Sequence, residues 1–333
     1  MATDCILLAI ESSCDDTSAA VLKNGEVLSN KIANQQVHEA FGGVVPELAS
    51  RAHQQHILPV VDQALKQAGI RMDELNAVAY TQGPGLMGSL LVGSSFAKGL
   101  SLSLGIPSIG VHHMDAHVMA HFIDNPKPQF PFLCLVVSGG HTQLVLMRDE
   151  NSMEIIGKTR DDAAGEAFDK TAKLLGLPYP GGPLIDKLAQ EGDPLKYRFN
   201  TSKMEGYDYS FSGLKTGILY FLQDAVKANP DFLKEEMPHV CASVQHTIVN
   251  YVLANLLRAA EDLGIQDIGI AGGVSANSGL RKAIEAEAGK RGWRAYIPDF
   301  SYCTDNAAMI GITGYYKFLN QDFSSIDAKP FAR

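Results

Sequence analysis

The sequence has no CxxC pair. Its five cysteines (Cys5, Cys14, Cys134, Cys241 and Cys303) are scattered and odd in number, which excludes a complete disulfide framework and a zinc ribbon. Reduced thiols in a cytoplasmic protein are the natural expectation. Positive charge is also scarce. With 28 lysines and arginines against 37 acidic residues, the 333-residue chain carries a formal charge of -9. It does not hold nucleic acid by bulk electrostatics, so any such role rests on a local patch or on a partner. Long apolar runs are missing as well. The least charged stretch, "AVAYTQGPGLMGSLLVGSSFAKGLSLSLGIPSIGV", is broken by glycine and proline and falls short of about 18 uninterrupted apolar residues. The N-terminal "MATDCILLAIESSCDD" offers only about six apolar residues before charge arrives, too few for a signal-peptide core. Neither membrane association nor export by that route is expected. What remains is a 46% hydrophobic chain, long enough for one large or two medium domains, with a globular enzyme as the expected class.

An internal repeat organises it. "ILLAIESSCDDTSAAVLKNGEVLSNKIA" from Ile6 and "FLCLVVSGGHTQLVLMRDENSMEIIGKTR" from Phe132 are each an apolar run, a turn of small polar residues, a second run, a polar turn and an alternating strand. After the first copy the patterns predict a helix over Pro46–Ala68, a strand at Ala77–Tyr80, a helix from about Leu86 to Leu104 and the strand "PSIGV". After the second they predict the helix "GEAFDKTAKLLG", a helix from about His239 to Leu263, the strand "DIGIAGG", a helix over Ser278–Arg291, the strand "RAYIP" and a last helix from Asn306 to Leu319. Strand and helix alternate, so mixed sheets covered by helices are expected, in two related α/β lobes with a cleft between them. We expect a first lobe over 1–125 and a second over 126–333, with an insertion at about 183–236 and the last helix packing back on the first lobe. The turns "ESSCDDTS" and "VSGGHTQ" crowd hydroxyls and backbone amides where an anion can be held, although each alone reads equally well as a plain hairpin. "GIAGGVSAN" ends a strand and opens a helix, a geometry suited to nucleotide.

Chemistry concentrates in "GVHHMDAHVMAHF", Gly110 to Phe122. His113 and His117 are four apart, so on a helix they share a face and can ligate one metal ion. A zinc protease of the HExxH type carries its glutamate directly after the first histidine; here that position is Met114, and Asp115 is rotated away. A protease mechanism therefore lacks its general base. Two histidines leave the ligand set incomplete, and Asp305 in "YCTDNAAMIG" is the candidate third ligand, with a helix N-cap as its plainer role. His141 reads as a turn residue, and His53 and His56 as exposed helix positions.

The motifs "AIESSCDDTS", "GGVVPELASRAH", "TQGPGLMGSLLVG", "HHMDAH", "VVSGGHTQL", "DDAAGEAFDKTAKLLGLPYPGGP", "YSFSGLKT", "AGGVSAN" and "CTDNAAMI" occur in the order seen in the TsaD family. The chain resembles that family, the tRNA adenosine threonylcarbamoyltransferases, over nearly its whole length, with Ser12, Asp16 and Asp115 as small departures that keep hydroxyl or charge. The resemblance implies an actin-like ATPase (ASKHA) fold of two RNase-H-like lobes. It implies transfer of a threonylcarbamoyl group from threonylcarbamoyl-AMP to N6 of adenosine 37 in tRNAs that read codons beginning with A. It implies one divalent metal, iron ahead of zinc, on His113, His117 and Asp305, and adenine nucleotide as substrate and as ATP or ADP in the complex. It places substrate binding on Val136, Val137, Ser138, Gly139, Gly140, Asp169, Gly182, Asp186 and Asn277. The implied partners are tRNA, the TsaB and TsaE proteins, and TsaC as the source of the intermediate.

Taken from the residues alone, Asp169 reads as a helix salt bridge, Asp186 as a solvated helix face and Asn277 as an N-cap. The densest basic stretch, "RKAIEAEAGKRGWR", with Arg281, Lys282, Lys290, Arg291 and Arg294, reads as a solvated helix face or a tRNA contact, and Lys215 as a candidate phosphate contact. An actin-fold kinase of small molecules and an ATP-gated scaffold subunit are the alternatives. The kinase would need no histidine metal site, and the scaffold subunit would bind nucleotide without turnover on tRNA.

Overall fold

Three strands rich in buried Leu, Ile, Val and Ala open the chain: β1 (Ile6–Glu11), β2 (Thr17–Lys23) and β3 (Glu26–Ala33). They belong to a computed structural model that describes residues 4–33 and 43–332; Gly42, which begins the "GGVVPELASRAH" motif, lies outside the described residues. The helix α1 (Pro46–Ala68) starts with proline in its first turn and stops at Gly69, which takes the left-handed conformation at φ 67° that glycine adopts without strain. Then come β4 (Ala77–Gly83), α2 (Met87–Leu104), β5 (Ser108–His112) and the short α3 (His113–Met119). The second copy runs β6 (Phe132–Val137), β7 (Thr142–Asp149), β8 (Ser152–Lys158), α4 (Ala164–Leu174), α5 (Gly181–Ala189), α6 (Ser212–Ala228) and α7 (Phe232–Leu263). It continues with β9 (Asp267–Ala271), α8 (Ser278–Arg291) and β10 (Arg294–Tyr296), and the chain closes with α9 (Phe300–Cys303) and α10 (Ala307–Leu319).

The repeat seen in the sequence is a repeat of topology. Among the described residues one sheet is ordered β3-β2-β1-β4-β5 and the other β8-β7-β6-β9-β10. In each, the first three strands pair antiparallel and the central strand pairs parallel with the one reached through helices. That is an RNase-H-like sheet twice over. Strands β1 and β6 are buried on both faces, which is why they read as continuous apolar runs rather than alternating ones.

The chain divides into two compact units, 1–127 with 299–333, and 128–298. The second-lobe range of 126–333 expected from the sequence thus ends at Pro298, and α10 belongs to the first unit. Glycines let it pack closely there: a Cβ on Gly311 would lie 2.2 Å from Leu22 Cδ1, and one on Gly314 would lie 2.6 Å from the Ala79 Cβ. In the second unit the 183–236 segment contains α6, whose Leu214, Ile218 and Leu222 enter the same core as β6 and α7. Helix α7 is long and apolar enough to cross a membrane by length and composition, yet 61% of its most apolar window is buried inside the fold. It is the core helix of its unit.

Both histidines of α1 are less exposed than expected: His56 is half-buried and His53 is buried outright. His53 was expected at an exposed position and is 0% exposed, with Nδ1 2.8 Å from Thr17 Oγ1 and Nε2 3.0 Å from the Cys14 carbonyl. It shares a helical row with buried Ala49 and Ile57, so the inward face of α1 carries it into the core beneath the β1–β2 turn.

Candidate functional site

The first cluster lies wholly in the first unit. β5 delivers the chain to α3, which begins at His113, so His113 and His117 stand on one helix face with ring centroids 4.7 Å apart and planes at 82°. Asp305 comes from the turn between α9 and α10. Its expected capping role is taken by its neighbour: Asn306 Oδ1 accepts from Met309 N at 3.0 Å and its Nδ2 donates to the Thr304 carbonyl at 2.8 Å. The Asp305 carboxylate is thereby left for the histidines, with Oδ1 3.4 Å from His113 Nε2 and 3.3 Å from His117 Nε2. One ligand atom from each of the three residues lies within 4.8 Å of the other two.

Sequence reasoning missed the residue behind them. Glu11, at the end of β1 and fully buried, sets its Oε2 3.1 Å from His113 Nδ1. Ser13 N donates to Glu11 Oε1 at 2.5 Å, and Thr81 Oγ1 donates to Oε2 at 2.5 Å, so the carboxylate is fixed by three donors. A carboxylate against Nδ1 holds an N–H there, so Nε2, the atom that faces Asp305, is the one free to give up its proton and bind an ion. Only the "AIESS" motif could have flagged Glu11, because the 102 residues that separate it from His113 leave no spacing to read.

The electrostatics ask for a cation. Burial opposes charge on His113, yet the carboxylates of Asp305 and Glu11 outweigh it and hold its pKa well above 6.5. Burial would raise Asp305, and the two histidines instead hold it far below the ordinary carboxylate range. Burial, then Asp15, Asp305 and Glu11, push Asp16 up to about 7. His117 is 1% exposed and neither of its ring nitrogens makes a hydrogen bond. An unpaired buried polar atom costs on the order of 1–3 kcal/mol, so this arrangement persists only with a return elsewhere. Two imidazoles and one carboxylate, with Asp305 28% exposed on the open side, form a donor set suited to a divalent transition metal. The residues fit such an ion. The acid that a zinc protease needs beside its water is absent from α3: Asp115 is 3.2 Å from His112, and Glu11 lies behind His113 rather than on the open side.

A second site lies wholly in the second unit, around a cavity of about 250 Å³. Of the residues singled out by resemblance, Gly139, Asp169, Gly182, Asp186 and Asn277 line it. Val136 and Val137 do not; they are the last residues of β6, with side chains buried in the core. Ser138 and Gly140 lie in the β6–β7 turn, where Ser138 N donates to the His141 carbonyl at 2.8 Å.

Each acidic or amide group on the wall organises a helix start. Asp169 Oδ1 accepts from Gly181 N at 2.9 Å and Gly182 N at 3.1 Å, so it caps α5 and forms no salt bridge. Asp186 accepts from Ser278 Oγ at 2.7 Å and Ser278 N at 3.0 Å, at the start of α8. Asn277 is the cap of α8, accepting from Leu280 N, and its Nδ2 donates to Gln245 Oε1 at 2.8 Å. Two carboxylates accept hydroxyl donors and disfavour a bare phosphate, while Phe168, Pro180, Pro183 and Val274 give the cavity apolar sides. Close backbone approach requires glycine at Gly165, where a Cβ would lie 2.6 Å from the Ser138 carbonyl oxygen.

The basic stretch is mostly spent within the fold. Arg281 donates to the carbonyls of Ser275 and Pro298, Lys290 and Arg291 pair with Glu287, Arg291 also with Glu261, and Arg294 with buried Asp267. Lys215 lies 3.4 Å from Asp162.

The TsaD family model, described as tRNA N6-adenosine threonylcarbamoyltransferase, matches residues 26–312. The chain belongs to the TsaD family. A tRNA N6-adenosine threonylcarbamoyltransferase of Porphyromonas gingivalis is 59% identical over 338 residues, covering 100% of this chain and 99% of the relative. One of the same name from Cytophaga hutchinsonii is 58% identical over 327 residues, covering 98% and 95%. Among solved structures, full-length HypF in its phosphate- and nucleotide-bound form aligns with TM-score 0.66 at 14% identity, over 96% of this chain and 47% of that one. The Acidaminococcus fermentans (R)-2-hydroxyglutaryl-CoA dehydratase component A aligns with TM-score 0.54 at 14% identity, over 94% and 98%. These two likenesses concern the fold alone, which in this TsaD chain is the actin-like one.

Proposed function

We infer that the protein transfers a threonylcarbamoyl group to N6 of an adenosine in tRNA, the activity for which its relatives are named. The observation that carries the reading is the cluster of buried His113 and His117 with half-buried Asp305, in a chain that matches TsaD over residues 26–312. The donor is threonylcarbamoyl-AMP, the acceptor is adenosine 37 of tRNAs reading codons that begin with A, and AMP leaves.

Adenine N6 is a weak nucleophile because its lone pair is delocalised into the ring, so the enzyme gains most by orienting both reactants and stabilising the departing charge. His113, His117 and Asp305 would hold one divalent ion, iron ahead of zinc. When bound it would supply Lewis-acid stabilisation of negative charge on the leaving phosphate. The residues of the chain do the rest. Glu11 keeps the proton of His113 on Nδ1, and burial of His117 keeps water from its nitrogens. Asp169, its Oδ1 shared with the α5 amides, offers its remaining oxygen to a hydroxyl of the ribose or threonyl group. Phe168, Pro180 and Val274 suit an adenine face, and Asp186 and Asn277 keep the wall rigid by holding the start of α8. Of the Val136–Gly140 segment, Val136 and Val137 belong to β6 and Ser138 N is spent on the His141 carbonyl, so the amides of Gly139 and Gly140 are the ones left for a nucleotide, and the same pocket would take ATP or ADP in the assembled complex. TsaB and TsaE are the partners, TsaC supplies the intermediate, and the setting is cytoplasmic.

The test is reconstitution of the purified protein with TsaB, TsaE, threonylcarbamoyl-AMP and an A37-containing tRNA transcript, followed by nucleoside mass spectrometry. Threonylcarbamoyladenosine should form. Its absence from protein that is folded and metal-loaded would overturn the reading.

A further inference from the structure

A second cavity, of about 240 Å³, backs onto the wall that carries Asn277 and Asp186. Three elements build it. α7 contributes Gln245, His246 and Asn250 from one face, α8 contributes Ser278, Gly279 and Lys282 from its first turns, and Gln190 closes the end beyond α5. The lining holds two ionisable side chains, Lys282 and His246, and no carboxylate. In a chain of net charge -9 such a concavity is selective by sign.

Two further observations point to a ligand. Among the described residues Lys282 makes no hydrogen bond or ion pair, whereas Arg281, Lys290, Arg291 and Arg294 around it are all committed to protein acceptors. Gln245 is only 8% exposed; its Oε1 is occupied by Asn277 Nδ2 at 2.8 Å, and no acceptor among the described residues pairs with its Nε2. A Cβ on Gly279 would come within 2.7 Å of that Nε2, so glycine keeps the amide reachable from the cavity. That amide N–H is left for an acceptor that enters the cavity. The Ser278 hydroxyl is spent on Asp186, so the Lys282 ammonium and the Gln245 amide N–H are the donors this lining offers, and together they suit a phosphate group.

We propose that the cavity between α7, α8 and Gln190 is a phosphate-binding site, with Lys282 supplying the charge and the Gln245 amide a neutral donor. The site is distinct from the cavity lined by Asp169, and the two share a wall: Gln245 bonds Asn277, and Ser278 bonds Asp186, so an occupant of one bears on side chains of the other. The phosphate comes either from a tRNA backbone, a source that rests on the transferase reading, or from a free nucleotide or inorganic phosphate.

The experiment is calorimetric titration of inorganic phosphate and of AMP into the full-length protein, in parallel with tRNA binding over a range of salt. It uses wild type, Lys282→Ala, Lys282→Arg and Gly279→Ala. Lys282 is exposed, so its variants keep the fold. Wild type should bind phosphate, Lys282→Ala should weaken it by roughly tenfold or more, Lys282→Arg should restore most of it, and Gly279→Ala should weaken it by blocking Gln245. If the phosphate is that of RNA, Lys282→Ala also lowers tRNA affinity and makes the log-log salt slope shallower by about 0.7–0.9, one phosphate contact. If it is that of a free nucleotide, AMP binding falls and the tRNA slope is unchanged. Phosphate and tRNA binding equal in wild type and Lys282→Ala would overturn the proposal. Formation of modified adenosine by the same wild-type preparation reports on the transferase reading separately.

Discussion

Replacing Glu11 by glutamine probes the cluster at its least obvious member. The carboxylate accepts from Ser13 N on one oxygen, and from Thr81 Oγ1 and His113 Nδ1 on the other, inside a fully buried position. An amide has one acceptor oxygen. Either the NH2 group faces Ser13 N–H, or it faces Thr81 and His113. In the first case one buried donor is left unpaired, at about 1–3 kcal/mol. In the second, His113 is driven to accept at Nδ1 and carry its proton on Nε2, the atom that faces Asp305. Loss of a partner that orients a ligating histidine costs typically 10–100-fold in metal affinity, roughly 1.4–2.7 kcal/mol. Competition titration with a chelating indicator should therefore give Glu11→Gln a metal Kd weaker by about one to two decades. Chemical denaturation of the metal-free protein should show lower stability within the range above. A folded Glu11→Gln protein with wild-type metal affinity would refute the assignment of Glu11 as the residue that orients His113.

Three further outcomes are expected. Because Asp305 and Glu11 hold the metal-free His113 protonated well above pH 6.5, loading the ion must expel a proton. Calorimetry at pH 7 in buffers of different ionisation enthalpy should show release of about one proton, and affinity should rise with pH up to the raised pKa. By the same linkage, the His113 contribution to metal-free stability is fully present below its ordinary pKa and fades as pH climbs through the raised one. Gly272, at φ 84° and ψ 167°, sits in a region essentially reserved for glycine, and a Cβ there would lie 2.5 Å from the Val137 carbonyl oxygen. Gly272→Ala should lower the urea midpoint by the equivalent of about 2 kcal/mol or more with an unchanged m-value, and a wild-type midpoint would contradict this. Asp208 lies below its ordinary pKa because the Lys158 amide and Arg160 outweigh its burial, and Asp161 does so through Ser210 and Phe211 N. Both contribute stability above pH 4 that is lost as pH falls through their depressed values, so limited proteolysis near 206–212 should accelerate at pH 3 and not at pH 6.

What the sequence disclosed followed from its local signals. α1 and α8 were bounded correctly because proline or a capping asparagine starts them and a left-handed glycine ends them. The meander repeat was legible because both copies bury nearly all of their central strands. α6 went unread: its "SFSGLKTG" opening carries two glycines and no side-chain cap, and its helical state is decided by Leu214, Ile218 and Leu222 meeting a core assembled from distant segments. His113 and His117 announced themselves by spacing, and Asp305 by its motif. Glu11, Gln245 and the burial of His53 are tertiary facts, created when β1, α7 and α1 are brought against residues far along the chain. Charge density alone could not show how the basic stretch of α8 and β10 is used: Arg291 and Arg294 pair with Glu261, Glu287 and Asp267, partners that lie on other elements or a turn away.

The most direct test of the account joins the cluster to the transfer. Protein stripped by chelation, then reloaded with ferrous iron or zinc, is assayed by nucleoside mass spectrometry beside His117→Ala. The account predicts that stripped protein and the variant form no threonylcarbamoyladenosine and that reloading restores wild-type turnover only. Undiminished product from stripped protein and from a folded His117→Ala would contradict it.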